Sequence, residues 1–299
     1  MSYYRRAGMS ADADRVFALA NAHPEAAVRW QRKSQTPRVF HPDVYAQPWW
    51  DPEMFKINHE LRAAYQKDGG RELQRQLDSM IMLKDGAVRG SLDADVNDGL
   101  QRIYTPYIGV RSTDSSAERG AGAWAEFGPL FDGVNWNEAK CATVPLICDT
   151  LKNHSAGELC GGYSALSAAQ KAINAEDIEL ECGADTVVTI LRLRPGAHIL
   201  PHCGTTNKRL IMHFALRGEI IRKILKRNMR SFSLILGAEG VWFRVGDEGK
   251  GSDWVKSYGN GDGNAIVFDD SFEHEVKHTG ERDRYVLLIV LRHPSLSQR

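Results

Sequence analysis

Short apolar runs dominate the second half of the chain. Beyond residue 178, runs rich in Val, Ile, Leu and Phe are separated by Gly, Pro, Asn and Asp. This pattern is typical of the many short strands of a sandwich or barrel. Helical segments do not alternate with these runs, which argues against a doubly wound sheet. We predict strands at residues 179–181, 186–194, 210–216, 240–245, 264–269 and 284–291.

Apolar positions at helical spacing are more common in the first half. Residues 54–68 predict a helix of about 14 residues, which is an ordinary helix length. Aromatic side chains alternate at residues 123–127 and predict a strand. We predict further helices at residues 11–33, with a break near Pro24, at 71–82 and at 137–153.

One block interrupts the strand pattern of the second half. Residues 219–230 place apolar side chains at positions 220, 221, 224 and 225, with basic residues between them. This spacing predicts a basic amphipathic helix. We interpret residues 218–237 as an insertion whose helix covers part of its own domain, with contact to a membrane surface as the alternative.

The charges of the chain balance. The 299 residues carry 38 Lys and Arg against 38 Asp and Glu. This balance removes the general electrostatic case for nucleic acid or an anionic membrane as the main partner, and it leaves a small neutral or anionic substrate open. The longest apolar runs fall far short of a membrane span, and the N-terminus lacks the apolar core of a secretory signal. We therefore expect a cytoplasmic protein.

Two stretches of the second half hold the densest candidate chemistry. Residues 194–213 read RPGAHILPHCGTTNKRLIMH and residues 268–278 read FDDSFEHEVKH, and together they hold five of the ten histidines. Imidazole binds iron, zinc and copper alike, so clustered histidines indicate a metal site without naming the metal. A single histidine in a β domain is more often a hydrogen-bonded polar residue than a ligand. Two histidines beside turns, at opposite ends of a strand-rich region, favour the metal site.

These stretches resemble the aspartyl/asparaginyl β-hydroxylase family of iron(II) and 2-oxoglutarate dependent oxygenases. The family pattern is close to PG-x-H-x-x-PH-x-G-x-TN-x-RLR-x-H, followed by FDDSFEHEV and by an arginine ten positions after its histidine. Here the second motif is unchanged, and Arg284 lies ten residues after His274. The resemblance extends over roughly residues 40–294. Weaker landmarks of the family are PWWD at residues 48–51, Trp124, Phe127, Cys141 and Cys148.

The resemblance implies a fold and a metal site. The expected fold is mainly β with flanking helices, a double-stranded β-helix of the jelly-roll or cupin-like type. By position, His202 and His274 correspond to the iron-binding histidines, and Arg284 corresponds to the arginine that binds the 5-carboxylate of 2-oxoglutarate. A guanidinium can bind a carboxylate through two parallel hydrogen bonds.

Gly204 stands where most non-haem iron oxygenases have an acidic ligand. In the family that this chain resembles, glycine is usual at this place and leaves an open coordination position on the metal. The gap has room for a halide as well, which keeps a halogenase as an alternative.

Further site residues follow from the resemblance. His213 matches a histidine that helps to hold oxoglutarate, with a buried polar residue as the alternative interpretation. Arg209 matches an arginine that contacts the substrate or the 1-carboxylate of the cosubstrate, with a salt-bridged surface residue as the alternative. Asp269 and Asp270 most simply form the turn before His274 and cap backbone groups, with orientation of that histidine by Asp270 as the functional alternative.

Two positions depart from the family. Ile211 replaces the second arginine of RLR, and Leu191 aligns with a serine that often contacts the cosubstrate. Altered substrate choice, weaker oxoglutarate binding and loss of activity are all compatible with these changes.

The cysteines do not indicate a disulfide scaffold. There are five, irregularly spaced, and no CxxC pair indicates a zinc site. Cys141 and Cys148 are seven residues apart, as in family members where the corresponding pair can be bridged. We expect two buried thiols rather than a bridge, because stable disulfides are rare in the cytoplasm.

The function implied by the resemblance is that of an iron(II)/2-oxoglutarate dioxygenase that hydroxylates a C–H bond, with O2 as the oxidant and ascorbate as an expected stimulant. The expected substrate is the β-carbon of Asp or Asn in a peptide or protein. Lipid acyl chains and free amino acids are alternative substrates, and a catalytically inactive metal-binding jelly-roll module is the alternative of a different class. We expect residues 1–40 to form a helical lead-in and residues 41–299 to form the oxygenase domain.

Overall fold

The computed structural model describes residues 9–23, 30–89, 110–112, 124–155, 157–161, 187–217, 241–246, 255–256, 263–280 and 283–296. The helices of this part of the chain are α1 (Ser10–Ala22), α2 (Lys56–Gln66), α3 (Arg71–Arg89), α4 (Glu138–Cys141) and α5 (Pro145–Lys152). Its strands are β1 (Trp49–Trp50), β2 (Val110–Ser112), β3 (Trp124–Glu126), β4 (Val188–Leu193), β5 (Ala197–His202), β6 (Arg209–Arg217), β7 (Val241–Val245), β8 (Val255–Lys256), β9 (Ala265–Phe268), β10 (His274–His278) and β11 (Arg284–Arg292). Short 3-10 turns lie at Pro52–Met54 and Pro294–Leu296.

These strands form two sheets. The larger sheet has six strands in the order β1-β9-β6-β11-β4-β3, and the smaller has five in the order β2-β5-β10-β7-β8. All the pairings between these strands are antiparallel. The fold is therefore mainly antiparallel β with few helices, which confirms the mainly β prediction from the short apolar runs.

The core lies between the two sheets and under the helices. β6 and β11 pair in the middle of the larger sheet, and almost all of their side chains are buried. Phe243 on β7 of the smaller sheet contacts His213 and Phe268 of the larger sheet, with ring centroids 5.4 and 5.8 Å apart. At the end of β6, Arg217 donates a hydrogen bond of 2.6 Å to the side chain of Gln74 on α3. The smaller sheet therefore covers one face of the larger sheet at β6, and the nearly complete burial of β6 shows that its other face is covered as well.

The helices agree with the predicted segments except at one place. α1, α2 and α3 lie within or overlap the helices predicted at 11–33, 54–68 and 71–82. The helix predicted at 137–153 is wrong, because two helices, α4 and α5, occupy this segment. α5 begins at Pro145, and the preceding residue, Val144, has a non-helical backbone with φ of −134°. A proline disfavours helical backbone in the residue before it, so one continuous helix cannot form here.

The two strands that carry the candidate ligands were not among the predicted ones. β5 and β10 are rich in His, Glu and Lys, and β5 includes Pro201. Their polar residues obscure the apolar pattern by which the other strands are found. The strand predicted at 179–181 and the insertion predicted at 218–237, with its helix at 219–230, lie outside the described residues.

Cys141 and Cys148 form a disulfide, so the expectation of two free thiols is wrong. Cys141 ends α4 and Cys148 lies on α5, and the break between the helices brings their Cα atoms to 5.5 Å. This separation is within the usual range for a bridge. Cys160 is also disulfide-bonded. Among the described residues, no helix combines the length and the apolar character that a membrane span requires.

Candidate functional site

The two candidate ligand histidines lie side by side on neighbouring strands of the smaller sheet. His202 ends β5, His274 begins β10, and the two residues face each other in the strand register. Their ring centroids are 4.2 Å apart. The structure therefore brings together two histidines that are 72 positions apart in the chain (274 − 202).

Burial and one hydrogen bond fix the state of His274. Its Nδ1 lies 2.9 Å from the carbonyl oxygen of Phe272. A carbonyl can only accept, so Nδ1 carries the proton and Nε2 keeps its lone pair. Burial lowers the pKa of His274 to about 3, helped by the nearby His202 ring. The ring is neutral at pH 7, which is the form that binds metals.

Gly204 leaves space that Asp270 fills. The backbone N–H of Gly204 donates a hydrogen bond of 2.6 Å to the carbonyl oxygen of Asp270. A Cβ atom at position 204 would overlap the carboxylate of Asp270. The residue at this position must therefore be glycine as long as Asp270 keeps its place, and an acidic ligand cannot be accommodated beside it.

Asp270 forms a buried ion pair with Arg209. The guanidinium Nη2 is 2.6 Å from Oδ2, and Nε is 3.3 Å from Oδ1. Both side chains are at least nine-tenths buried. This two-point geometry offsets the cost of removing both charges from water. Arg209 was expected to contact the substrate or cosubstrate; the structure places it against Asp270 instead, and the expected contact stays a prediction.

Asp269 shapes the turn that leads into His274. Its Oδ1 accepts hydrogen bonds from the backbone N–H and the hydroxyl of Ser271, at 3.0 and 2.5 Å. Its own N–H donates to the carbonyl oxygen of Pro48. Burial raises the pKa of Asp269 to about 8; hydrogen bonds from Ser271 act in the opposite direction, and the charge of Asp270 adds to the increase. The structure thus places Asp269 in the backbone-capping position that the sequence predicts.

The interior beside the histidines holds the candidate cosubstrate residues. His213 and Arg284 are buried at 4% and 2% exposure. The guanidinium of Arg284 lies 5.7 Å from the centre of the Phe243 ring. Burial lowers the pKa of His213 well below its ordinary value, and the charges of Arg284 and His274 lower it further. His213 Nδ1 makes no hydrogen bond within the described part of the chain.

Two aromatic residues of this interior were missed from the sequence. Phe268 lies 5.3 Å from the His274 ring and 5.4 Å from the His213 ring, and Phe243 lies 5.4 Å from His213. Apolar residues stand at alternate positions 241, 243 and 245 of β7, and this spacing would have placed Phe243 on the inner face of the strand. His198 points away from this cluster and pairs with Glu275 at 2.8 Å, as a non-ligand would.

The comparison with known families decides the family. The profile described as aspartyl/asparaginyl β-hydroxylase matches residues 95–294, about two-thirds of the chain. The chain belongs to this family. It is 23% identical over 287 residues to the aspartyl/asparaginyl β-hydroxylases of Mus musculus and Homo sapiens. These matches cover 96% of this chain but only 28% and 27% of the relatives. This member of the β-hydroxylase family therefore spans about a quarter of the length of those relatives.

Solved structures resemble this family member only weakly. A Pseudomonas putida prolyl-4-hydroxylase matches with a TM-score of 0.23 and 16% identity, over 44% of this chain and 67% of the other. A predicted oxalate decarboxylase from Thermotoga maritima matches with a TM-score of 0.23 and 15% identity, over 39% and 72%. At these TM-scores neither structure bears on the fold.

Proposed function

We propose that this family member is an iron(II)/2-oxoglutarate dioxygenase that hydroxylates a C–H bond. The observation that carries the proposal is the pair of histidine rings, His202 and His274, 4.2 Å apart beside Gly204. Membership of a family named for hydroxylation supports an enzyme of this class.

The donor set fits a metal that keeps open coordination positions. No group of three or more His, Cys, Asp and Glu side chains within the described ranges is arranged to hold a metal ion. His202 and His274 would supply two imidazole nitrogens, which suit iron(II). Gly204 has no side chain to offer, and the carboxylate of Asp270 beside it is paired with Arg209, so the remaining positions would be open to cosubstrate, water and O2. The chemistry supplied by the iron, once bound with oxoglutarate, is activation of O2 for attack on a C–H bond.

Arg284 and His213 would hold the cosubstrate. The buried guanidinium of Arg284 lies over Phe243 in the interior between the sheets. In this low-dielectric setting it would bind the 5-carboxylate of 2-oxoglutarate through two hydrogen bonds. His213 is buried beside it and has a ring nitrogen available for a further hydrogen bond to the same molecule.

Asp270 would orient the ligands without contacting the metal. Its carbonyl oxygen accepts from Gly204 on the His202 loop, and it precedes His274 by four residues. The ion pair with Arg209 holds its carboxylate in place, with Nη2 of Arg209 2.6 Å from Oδ2 of Asp270. Groups of this kind set the position and basicity of metal-binding histidines.

The strand order supports a double-stranded β-helix of the jelly-roll, cupin-like type. Strands β4 to β11 alternate between the sheets except at β7 and β8, which are neighbours in the smaller one, and the orders are β9-β6-β11-β4 and β5-β10-β7-β8. Two interleaved four-stranded sheets with this order are what the proposed jelly-roll requires. The candidate ligands then lie on adjacent strands at one end of the smaller sheet.

We propose the β-carbon of Asp or Asn in a peptide or protein as the substrate, because the relatives are named for that reaction. Lipid acyl chains and free amino acids are the alternatives. A catalytically inactive metal-binding module is the second candidate, because Ile211 and Leu191 are buried apolar residues, 6% and 2% exposed, where family members have polar ones. Both fill the core of the larger sheet.

The disulfide bears on where the protein works. A Cys141–Cys148 bridge is most stable in an oxidising compartment, which argues against the cytoplasmic location expected from the sequence. Thiol labelling of the denatured protein, purified without reductant, tests the bridge. We expect no labelling of Cys141 and Cys148 before reduction and complete labelling afterwards.

A turnover assay separates the two candidate functions. Purified protein with iron(II), ascorbate and 2-oxoglutarate should form succinate slowly, and faster with an Asp- or Asn-containing peptide. His202→Ala and His274→Ala should both abolish turnover. Metal binding without turnover on any peptide, lipid or amino acid would favour the inactive module, whereas turnover retained by both variants would overturn the ligand assignment.

A further inference from the structure

The segment before residue 42 contacts both loops that carry the candidate ligands. We call residues 32–41 the strap. Within it, Ser34 and Gln35 are 1% and 0% exposed, although the family profile matches only from residue 95. The strap also crosses the domain boundary predicted at residue 40. Burial this complete is unusual for a short irregular segment and requires tertiary contacts.

One half of the strap holds the turn before His274. Gln35 Nε2 donates to the hydroxyl of Ser271 at 2.9 Å, and that hydroxyl donates to Asp269 at 2.5 Å. All three side chains are fully buried. The carbonyl oxygen of Ser34 accepts a hydrogen bond of 2.6 Å from the backbone N–H of Glu273. The turn is therefore bonded to the strap by a side chain and by the backbone.

The other half holds the loop after His202. The N–H of Val39 donates to the carbonyl oxygen of Thr205 at 2.8 Å. His41 and Asn207 form a reciprocal pair, in which each accepts a hydrogen bond of 2.8 Å from the other. Asn207 is fully buried. One segment of ten residues thus spans the two loops.

These contacts lie one hydrogen bond from His274 and three residues from His202. The carbonyl oxygen of Phe272, which fixes the tautomer of His274, belongs to a residue that forms an antiparallel bridge with Gln35. In the loop after His202, Thr205 is three residues from that histidine. Gly204 lies between them, and its backbone N–H donates a hydrogen bond to the carbonyl oxygen of Asp270. A metal site needs ligands held within a few tenths of an ångström, so support at this distance matters.

We propose that the strap positions the two candidate metal-binding histidines, and that Gln35 is a positioning residue. The inference rests on the proposed function for the identity of the ligands. It assigns a role in the site to residues outside the part of the chain that the family profile matches.

The test compares Gln35→Met with Gln31→Met. Methionine has nearly the volume of glutamine but cannot form the hydrogen bonds of Gln35. Gln31 is exposed, and its amide lies 3.5 Å from the carbonyl oxygen of Pro42, away from both loops. Mn²⁺ affinity is measured by the electron paramagnetic resonance of the free ion. We expect Gln35→Met to weaken it roughly tenfold, as mutation of outer supports of metal ligands typically does, and Gln31→Met to leave it unchanged.

Amide hydrogen exchange provides a readout that does not need metal. Gln35→Met should speed exchange at Glu273 and Gly204 more than at Leu287 in the centre of β11. A merely structural role would speed exchange evenly and leave the Mn²⁺ affinity of the folded protein intact, and that result would overturn the proposal. Asn207→Ala, which breaks the contact with the other loop, takes the place of Gln35→Met if that variant does not fold.

The two proposals fail in different ways. If wild-type protein does not bind Mn²⁺, the metal site of the proposed function is wrong, and the exchange pattern alone decides the strap. If wild-type protein binds Mn²⁺ and Gln35→Met binds it within twofold, the metal site stands and the strap is wrong.

Discussion

Two buried histidine side chains lie near carboxylates, and their pKa values shift in opposite directions. His154, after α5, has Nδ1 2.6 Å from Glu60 and Nε2 3.2 Å from Glu158. Burial acts to lower the pKa of His154, but hydrogen bonds to both carboxylates outweigh it and the pKa is raised. His274, in the candidate site, is near Asp270, yet its pKa falls to about 3 through burial and the His202 ring.

The difference lies in what else holds each carboxylate. Glu158 bonds the backbone N–H groups of Lys56 and Ile57 at the start of α2, and its remaining charge faces His154. Asp270 already bonds the guanidinium of Arg209 at two points. A carboxylate therefore raises the pKa of a buried histidine most effectively when it is not already bonded to a guanidinium. One cluster anchors the start of α2, and the other keeps the ring of a candidate ligand neutral.

The largest expected effect is on metal binding. His274→Ala removes one of the two protein donors, so Mn²⁺ affinity should fall by at least about 100-fold. His154→Ala, the control from the other cluster, should keep Mn²⁺ affinity within about twofold and lower stability through loss of the ion pair. Titration of both variants checks the contrast. Equal affinities in the two variants would show that His274 is not a ligand.

The next effect concerns the space beside Asp270. Gly204→Asp would insert a carboxylate where Asp270 lies, displace it from Arg209 and cost about 3 kcal/mol of unfolding free energy, as broken buried ion pairs do. Gly157→Asp is the control: nothing lies within 4 Å of a Cβ atom at this position, so the variant should cost only the roughly 1 kcal/mol of a side chain at the φ of +66°. Urea unfolding measures both. A Gly204→Asp protein as stable as the control, with tighter Mn²⁺ binding, would refute the assignment.

A smaller effect is the pH dependence of the His154 cluster. The folded pKa of His154 is above the unfolded value near 6.5, so its stabilising contribution is complete below pH 6.5 and is lost as the pH rises through the folded pKa. Wild-type protein should lose on the order of 1 kcal/mol more than His154→Gln between pH 6 and pH 9. Denaturant unfolding at the two pH values measures the difference between the variants. His274 and His213 have lowered pKa values, so their effect on stability falls below pH 6.5. Both residues are present in the two proteins, and their contributions cancel when the two are compared.

The smallest effect tests Asp269, which has no cation in hydrogen-bond contact among the residues that the structure describes. Asp269 has a pKa of about 8 in the folded chain against 3.8 unfolded. Its contribution is complete below pH 4 and is lost as the pH rises to about 8. Asp269→Asn keeps an oxygen for the donors on Ser271 and should flatten the stability profile between pH 5 and pH 6, where the wild-type protein should lose about 1 kcal/mol. An unchanged slope would mean that Asp269 is ionised in the fold.

Local patterns predicted much of this molecule. β4, β6, β7, β9 and β11 follow from short apolar runs, because buried strands have a strong local pattern. His202, Gly204 and His274 were found through motifs that place them beside strand ends. β5 and β10 were missed because the residues that give these strands their chemistry are polar.

Long-range pairings were not predictable from local patterns. Asp270 and Arg209 are 61 residues apart, and Gln35 lies 236 residues from Ser271. Glu158 caps a helix that begins 102 residues earlier, at Lys56. Each contact depends on the topology of the sheets rather than on spacing. The resemblance to a family supplied residue roles, but it did not supply the strap, which precedes the motifs.

The pairing of β5 with β10 would link the proposed metal binding to the folding of the whole domain. The chain between these two strands includes β6, β7 and β9, which lie in two different sheets. Closing such a loop costs chain entropy before any native contact compensates for it. A metal that requires both histidines would bind the native state alone and raise the free energy of unfolding with its concentration. The midpoint of thermal unfolding as a function of Mn²⁺ concentration would then report how completely this one strand pair has formed.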